Sequence, residues 1–345
     1  MRSKLILMLL FGGIAPVCAV RSQDADSLRK EKIYPIGKVV VTGTRHETDI
    51  RHLPMTISVV DRQKIEEGFQ PSLLPTLTEQ VPGLFVTGRG LMGYGVSGGA
   101  AGQMTLRGIG GTATGGPTTG LLVLIDGHPQ YMGLMGHPIA DAYQSMLADR
   151  VEVVRGPASV LYGSNAMGGS VNIITRKANR EGLYGRARAM FGSFNTQRFG
   201  LSTSYKKGRW GIEAAGQLDR SNGNRAGSDF WLANEMVSLT YAPADAWNLG
   251  ATVDMTQTKA NNPGTLQDPL QSMWTYMGRG AASIYAHNRY AWGEGGAQAY
   301  INWGHHNIDD GHAPSDAPTD YLFHSNDYNM GFTLYQTLHL WQANN

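Results

Sequence analysis

Cysteine is almost absent. The one thiol in 345 residues stands at position 18, inside a segment that reads as a removable leader. The mature chain is therefore expected to have no disulfide, no cysteine-bound metal and no cysteine nucleophile. Charge is also scarce: Asp, Glu, Lys and Arg make up 16% of the residues and the net charge is +2, which gives no electrostatic reason to expect a nucleic-acid partner. Beyond the first twenty residues no apolar run reaches the ~20 residues of a membrane-spanning helix. Catalytic signatures are missing as well. There is no P-loop or pair of catalytic carboxylates, and His46-Glu47 lacks the second histidine of a metalloprotease helix. Gly88-Arg-Gly90-Leu-Met-Gly93 matches a dinucleotide fingerprint, but Tyr94-Gly-Val-Ser-Gly-Gly follows and cannot open the helix that would hold a pyrophosphate. No enzymatic activity and no cofactor are expected.

Glycine and aromatics are what the chain has. Its 45 glycines are about 13% of the residues, against ~7% in ordinary proteins. They keep no triplet period, so a collagen is excluded. With 7 Trp, 15 Tyr and 9 Phe the chain is not a disordered polymer. Low charge, many glycines and many Tyr and Trp without long apolar runs fit a β-protein, either soluble or a membrane barrel.

Arg2 and Lys4 precede an apolar stretch over Leu5–Ile14, and Val17-Cys18-Ala19 supplies small residues at −3 and −1 of a cleavage site. Residues 1–19 are read as a secretory signal peptide. Residues 20–35 are charged and lack a core pattern, as a flexible tether would. Residues 36–44 are β-branched and end in a glycine turn. They suit either a first strand of the following domain or a strand added to a partner's sheet edge.

Residues 45–180 read as a compact α+β domain. Strands are expected at Thr56–Val60, Leu84–Thr87, Met104–Arg107, Leu121–Asp126, Val151–Arg155 and Val171–Thr175. Helices are expected at Asp61–Glu67 and Ser72–Val81, and long glycine-rich loops at 88–102, 108–120 and 127–141. From 181 to 345 the pattern becomes period two, with one apolar and one polar face: Phe199, Leu201, Thr203 and Tyr205 alternate with Arg198, Ser202, Ser204 and Lys206. Eight strands are predicted, at 183–192, 196–207, 209–219, 233–242, 246–258, 278–291, 294–307 and 327–341. They are longer than the ~5–6 residues of an ordinary strand and suit tilted membrane strands. Trp210, Trp231, Tyr241, Trp247 and Trp292 lie near their ends, as in an interfacial girdle.

Two clusters could ligate metal. His128, Met132, Met135 and His137 share one loop, and thioethers with imidazole suit soft ions; packing of a flexible loop explains the methionines equally. His305, His306, Asp309, Asp310 and His312 are expected in an inter-strand loop.

Three features resemble TonB-dependent outer-membrane receptors: the entry Val39-Val-Val-Thr-Gly-Thr-Arg45; the pair Leu106-Arg107-Gly108 and Leu124-Ile-Asp-Gly127; and the block from Asp149-Arg-Val-Glu-Val-Val-Arg-Gly-Pro to Val171-Asn-Ile-Ile-Thr175. The resemblance is close over about 36–180 and holds beyond that only as barrel strands. It implies an α+β plug seated in an antiparallel transmembrane β-barrel of about 22 strands in the outer membrane, with the tether in the periplasm. It also implies uptake of a scarce nutrient such as a ferric siderophore, haem, cobalamin or other metal complex. Ile36, Gly37, Lys38, Val39, Val40, Val41, Thr42 and Gly43 would form the TonB box, pairing as a strand with a TonB-type energy-transducing protein. Arg107, Glu152 and Arg155 would make ionic contacts with the barrel interior. Met92, Tyr94, His128, Tyr131, Met132, Met135 and His137 would lie on ligand-facing plug loops, and outer-membrane lipid would surround the strands.

Length departs from the family. After the plug about 165 residues remain. Eight strands closed on themselves make a barrel roughly 15 Å across, whereas a ~140-residue plug is roughly 35–40 Å wide. The expectation is an N-terminal fragment of a receptor, or a wall completed by another polypeptide. The alternative is a truncated, non-transporting plug protein that binds only a TonB-type partner or a ligand.

Overall fold

The computed structural model describes residues 40–41, 48–49, 55–68, 70, 72–87, 104–110, 120–133, 142–318 and 320–338. The leader, the tether and most of the box-like segment lie outside these. Of that segment only β1 (Val40–Val41) is described, paired antiparallel with β2 (Thr48–Asp49).

The plug follows as β3 (Ile57–Asp61), α1 (Arg62–Glu67), α2 (Leu73–Gln80), β4 (Leu84–Val86), β5 (Met104–Leu106), β6 (Ile109–Gly110), β7 (Leu121–Ile125), β8 (His128–Pro129), β9 (Ala148–Arg155), α3 (Ser159–Tyr162) and β10 (Gly169–Thr175). Both leading helices start where side-chain caps stand: Asp61 accepts from the Lys64 amide and Ser72 from the Leu74 amide, satisfying N–H groups that the first turn leaves open. Gly68 closes α1, and Val81 closes α2 just before Pro82-Gly83. The main sheet has the order β3-β9-β10-β7-β8, with β7 and β10 parallel and the other pairs antiparallel. All five residues of β7, Leu121–Ile125, are buried, as a strand covered on both faces requires. One face packs with Leu73, Leu74 and Leu77 of α2, and the other with Ala158, Ala166 and Tyr162 near α3. Gly169 has φ +144° and its α-carbon faces the Val154 carbonyl so closely that any side chain would collide, so only glycine can begin β10 there.

The six plug strands expected from sequence all exist. The loop expected over 127–141 is not all loop: it opens with the β7–β8 hairpin. The short helix α3 carries too few residues to show a period.

The second part is one antiparallel sheet of eight strands in sequential order: β11 (Gly182–Gly192), β12 (Thr196–Lys207), β13 (Trp210–Ser221), β14 (Phe230–Ala244), β15 (Trp247–Asn261), β16 (Trp274–Tyr290), β17 (Gly293–Asp309) and β18 (Phe323–Leu338). Among the described residues β11 and β18 are its two edges, so the barrel is not closed. The alternation holds throughout. Phe199, Leu201, Ile212, Leu218, Val237, Leu239, Val253, Ile284, Phe332 and Leu334 are exposed on the outer face, while Arg198, Ser202, Glu213, Gln217, Asn234, Thr252, Asn302 and Asp327 are buried on the inner one. An apolar outside around a polar inside is the reverse of a soluble domain and is the pattern of a lipid-facing wall. Trp210 stacks on Tyr241 and Tyr290 on Trp292 at the end of the sheet that has the short turns, where amphipathic rings sit at a membrane surface.

Candidate functional site

The plug touches the wall through its own weak point. Strand β8 is an edge of the plug sheet, and the segment after it, Gln130–Gly133, has no regular partner strand. Its main-chain groups need partners if they are to be covered. Inward-facing side chains of β17 and β18 supply them. Asn302, 1% exposed, donates to the Pro129 carbonyl at 2.8 Å and to Asn329 at 2.7 Å, and accepts from Gln130 at 2.5 Å. Asn329 donates to the Tyr131 carbonyl at 2.9 Å. The Gly133 amide donates to Asp327 Oδ1 at 2.8 Å. Asp327 in turn holds Arg279 of β16 by a two-pronged pair at 2.8 and 3.0 Å, and Arg279 also donates to the Tyr131 carbonyl at 3.4 Å. The guanidinium fits because Gly304 beneath it has no β-carbon; one placed there would overlap Arg279.

A second contact lies at the β7–β8 turn. Asp126 has a positive φ of 46° and accepts from the Thr175 amide at 3.0 Å and the Thr175 hydroxyl at 2.5 Å. Lys177 stands 4.0 Å from it and lies over the Tyr285 ring at 4.6 Å. Burial works against the Asp126 charge, but Lys177 and the Thr175 bonds outweigh it and hold the carboxyl below its ordinary range. Lys177 is raised despite burial because Asp126 is its neighbour. Next to them His128 is buried, stacked on Tyr300 with ring centres 4.9 Å apart, and its Nδ1 meets Gln298 at 3.3 Å. Burial pushes its pKa down to about 4, with Asp126 opposing; this is a neutral imidazole.

The expected site residues divide accordingly. His128, Tyr131 and Met132 come together on the wall-facing side of the plug. Met132 is buried against Met277 of β16, a packing role, and His128 Nε2 is buried without a hydrogen bond. Met92, Tyr94, Met135 and His137 lie outside the described residues, as do Ile36, Gly37, Lys38, Val39, Thr42 and Gly43. Among the described residues no three His, Cys, Asp or Glu side chains gather as a metal site would need. The cluster at 305–312 is broken up by the strand pleat, not held in one loop. His305, His306 and Asp309 belong to β17; His306 points inward beside Arg279, while His305 bonds Asn326 on the other face.

Arg107 and Glu152 bond within the plug through their side chains, and Arg155 through its main chain. Arg107 is exposed and donates to the Arg155 carbonyl at 3.2 Å, and Glu152, 1% exposed, pairs with Arg150 at 2.8 Å. Ion pairs that cross from plug to wall include Arg176–Glu213 at 2.7 Å and Arg186–Glu66. Sequence reasoning passed over Arg176, Asn302, Asn329, Arg279 and Asp327. For Asn302, Asn329, Arg279 and Asp327 the one sequence signal is a polar residue at an inward position of an alternating strand, and Arg176, just past the end of β10, carries none.

Comparison with known proteins agrees with this architecture. Residues 49–170 match the TonB-dependent receptor plug domain. An iron-regulated outer membrane virulence protein of Vibrio cholerae is 34% identical over 151 residues, covering 41% of this chain and 20% of that protein. A hemin receptor of Yersinia pestis is 29% identical over 289 residues, covering 76% of this chain and 39% of the receptor. The crystal structure of the unliganded ferric citrate transporter FecA superposes with a TM-score of 0.66 at 17% identity, over 88% of this chain and 47% of that one. The chain thus spans less than half the length of each of these relatives. Residues 49–170 thus carry a TonB-dependent receptor plug domain, and with the eight-stranded wall that follows the chain is similar in fold to the N-terminal part of TonB-dependent outer-membrane receptors.

Proposed function

We propose that the protein to which this plug and wall belong imports a scarce nutrient across the outer membrane, as a ferric siderophore, haem, cobalamin or other metal complex. The observation that carries the reading is the polar clasp of Asn302, Asn329 and Asp327 on the edge of the plug. It fastens a folded domain to the inner face of a membrane wall by hydrogen bonds, which can be broken and remade, and not by a continuous apolar core. A passive pore has no use for such a stopper. The iron- and haem-related names of the matched relatives support a metal-complex substrate. Nothing in the chain's chemistry calls for an enzymatic step.

Energy would enter through residues 36–43, as a strand offered to a TonB-type protein. Arg107 and Arg155 would meet charged groups on wall strands other than β11–β18, with Glu152 acting through its pair with Arg150. The eight strands leave two edges with unpaired main-chain groups, each costing several kcal/mol in lipid, so transport requires further strands. The alternative, a plug that binds without transporting, applies to the chain in isolation.

The test is growth of a host lacking its own iron receptors, carrying the complete reading frame, on haem or on ferric siderophores as sole iron source. Growth on at least one of them that is lost with Val40→Pro, which removes a ladder N–H, supports the reading. Growth indifferent to Val40→Pro overturns the box assignment, and failure on every complex overturns import.

A further inference from the structure

A cavity of about 50 Å3 lies at the seam between α1 of the plug and wall strands β11–β13, on the opposite side of the plug sheet's order from the β8 clasp. Its volume is several times the ~10–15 Å3 that one water molecule needs. Five guanidinium groups line it, from Arg62, Arg176, Arg186, Arg188 and Arg198, and one carboxylate, Glu66. Two more carboxylates stand behind the lining: Glu213 on Arg176 and Asp219 on Arg198. Five arginines against three carboxylates leave the balance positive, and water screens it least at Arg176 and Arg198, both buried.

Arg176 is 7% exposed, its terminal nitrogen reaches Ser202 at 3.3 Å and Glu213 at 2.7 Å, and its Nε is buried with no hydrogen-bond partner. A buried donor left unfilled is costly, and a guanidinium edge presents donors in the fork that suits an oxyanion. Ser202 and Gln217, also on the lining, add neutral polar groups. We propose that this seam cavity binds a small oxyanion, either a free inorganic phosphate or a carboxylate group of a chelating ligand.

Burial, with the charges of Arg62 and Arg186 as further causes, lowers Arg176 to about 10 although Glu213 and Glu66 oppose them. A bound anion would relieve that crowding. The site is distinct from the clasp and does not depend on the import reading.

Isothermal titration of the full chain, folded in detergent micelles in a chloride buffer, tests it with phosphate and with citrate as probes. The expected result is saturable binding of at least one probe, weakened about tenfold by Arg188→Gln and strengthened by Glu66→Gln, since one charge-assisted contact is worth roughly a decade. A merely structural ion network would not tighten on removal of a carboxylate. Phosphate binding alone identifies a free inorganic ion, and citrate binding that phosphate displaces identifies a carboxylate site. No saturable binding of either probe at millimolar concentration, or binding that neither variant changes, overturns the proposal. If Glu66→Gln fails to fold, Arg62→Gln takes its place and must weaken binding.

Discussion

Replacing Asp327 by alanine tests whether the clasp is energetic or only geometric. Asp327 is 8% exposed and Arg279 6%, so the variant leaves a guanidinium buried without its carboxylate. Loss of one partner of such a pair costs about 3–5 kcal/mol. The Gly133 amide also loses its acceptor, a further ~1–3 kcal/mol if water cannot reach it. Much of the sum is the penalty of the stranded charge, so Arg279→Met together with Asp327→Leu should recover most of it and keep only the Gly133 term. The assay is urea unfolding of the full chain in micelles for Asp327→Ala and for the cycle of Arg279→Met, Asp327→Leu and the pair, with hydrogen exchange at residues 130–133. The expected coupling between the two sites is at least ~2 kcal/mol, and exchange at Gly133 rises in every variant lacking the carboxylate. A single-variant cost below ~1 kcal/mol, or additive losses in the pair, would refute the reasoning.

His128 gives a pH dependence. Its folded pKa, about 4, lies below the ordinary ~6.5, so the unfolded chain binds more protons between these values. Its contribution is full above ~6.5 and is lost as pH falls toward 4, by about 3 kcal/mol at most; thermal melts over that range should flatten with His128→Phe, which keeps the stack on Tyr300. Residues 36–180 alone should fold as a soluble domain, because the core of α2, β7, β9 and β10 is complete within them; circular dichroism without a cooperative melt would contradict this. Titration with Cu(I), before and after Met132→Leu and Met135→Leu, decides the metal role of that loop. Unchanged affinity leaves Met132 as packing against Met277, where leucine costs under ~1.5 kcal/mol.

Legibility differed between fold and site for a physical reason. The wall strands were readable because lipid on one side and plug on the other force strict alternation. The second strand's bounds, 196–207, agree with β12. Strands β16 and β18 begin earlier than expected, at Trp274 and Phe323. Their added residues pair with the far end of β17 near Asp309 and Ile308, and partner pairing leaves no mark on one strand's own pattern. The helix starts at Asp61 and Ser72 were readable because the signals that start a helix are local. The clasp was not: Gln130 and Asn302 are 172 residues apart in sequence, and nothing in either neighbourhood names the other. Likewise His305 and His306 look like a pair in sequence but face opposite ways once the strand is pleated.

The order β3-β9-β10-β7-β8 also sets a load path. Tension applied at the N-terminus would pass the β1–β2 pair and enter the main sheet at β3, which has a single neighbour there and five paired residues and whose following helix meets the wall at the solvent-exposed Arg186–Glu66 pair, while the far side of the sheet is moored to the wall at Pro129, Tyr131 and Gly133. The strand nearest the pull therefore yields first and the moored edge last. Peeling off β3 with α1 and the link to α2 would pay out roughly 50–60 Å of extended chain before strain reaches Leu73, Leu74 and Leu77, each no more than 1% exposed. Under such a pull the plug would act as a fuse in series with an anchor, letting a limited length of slack be drawn out while the stopper stays in its socket.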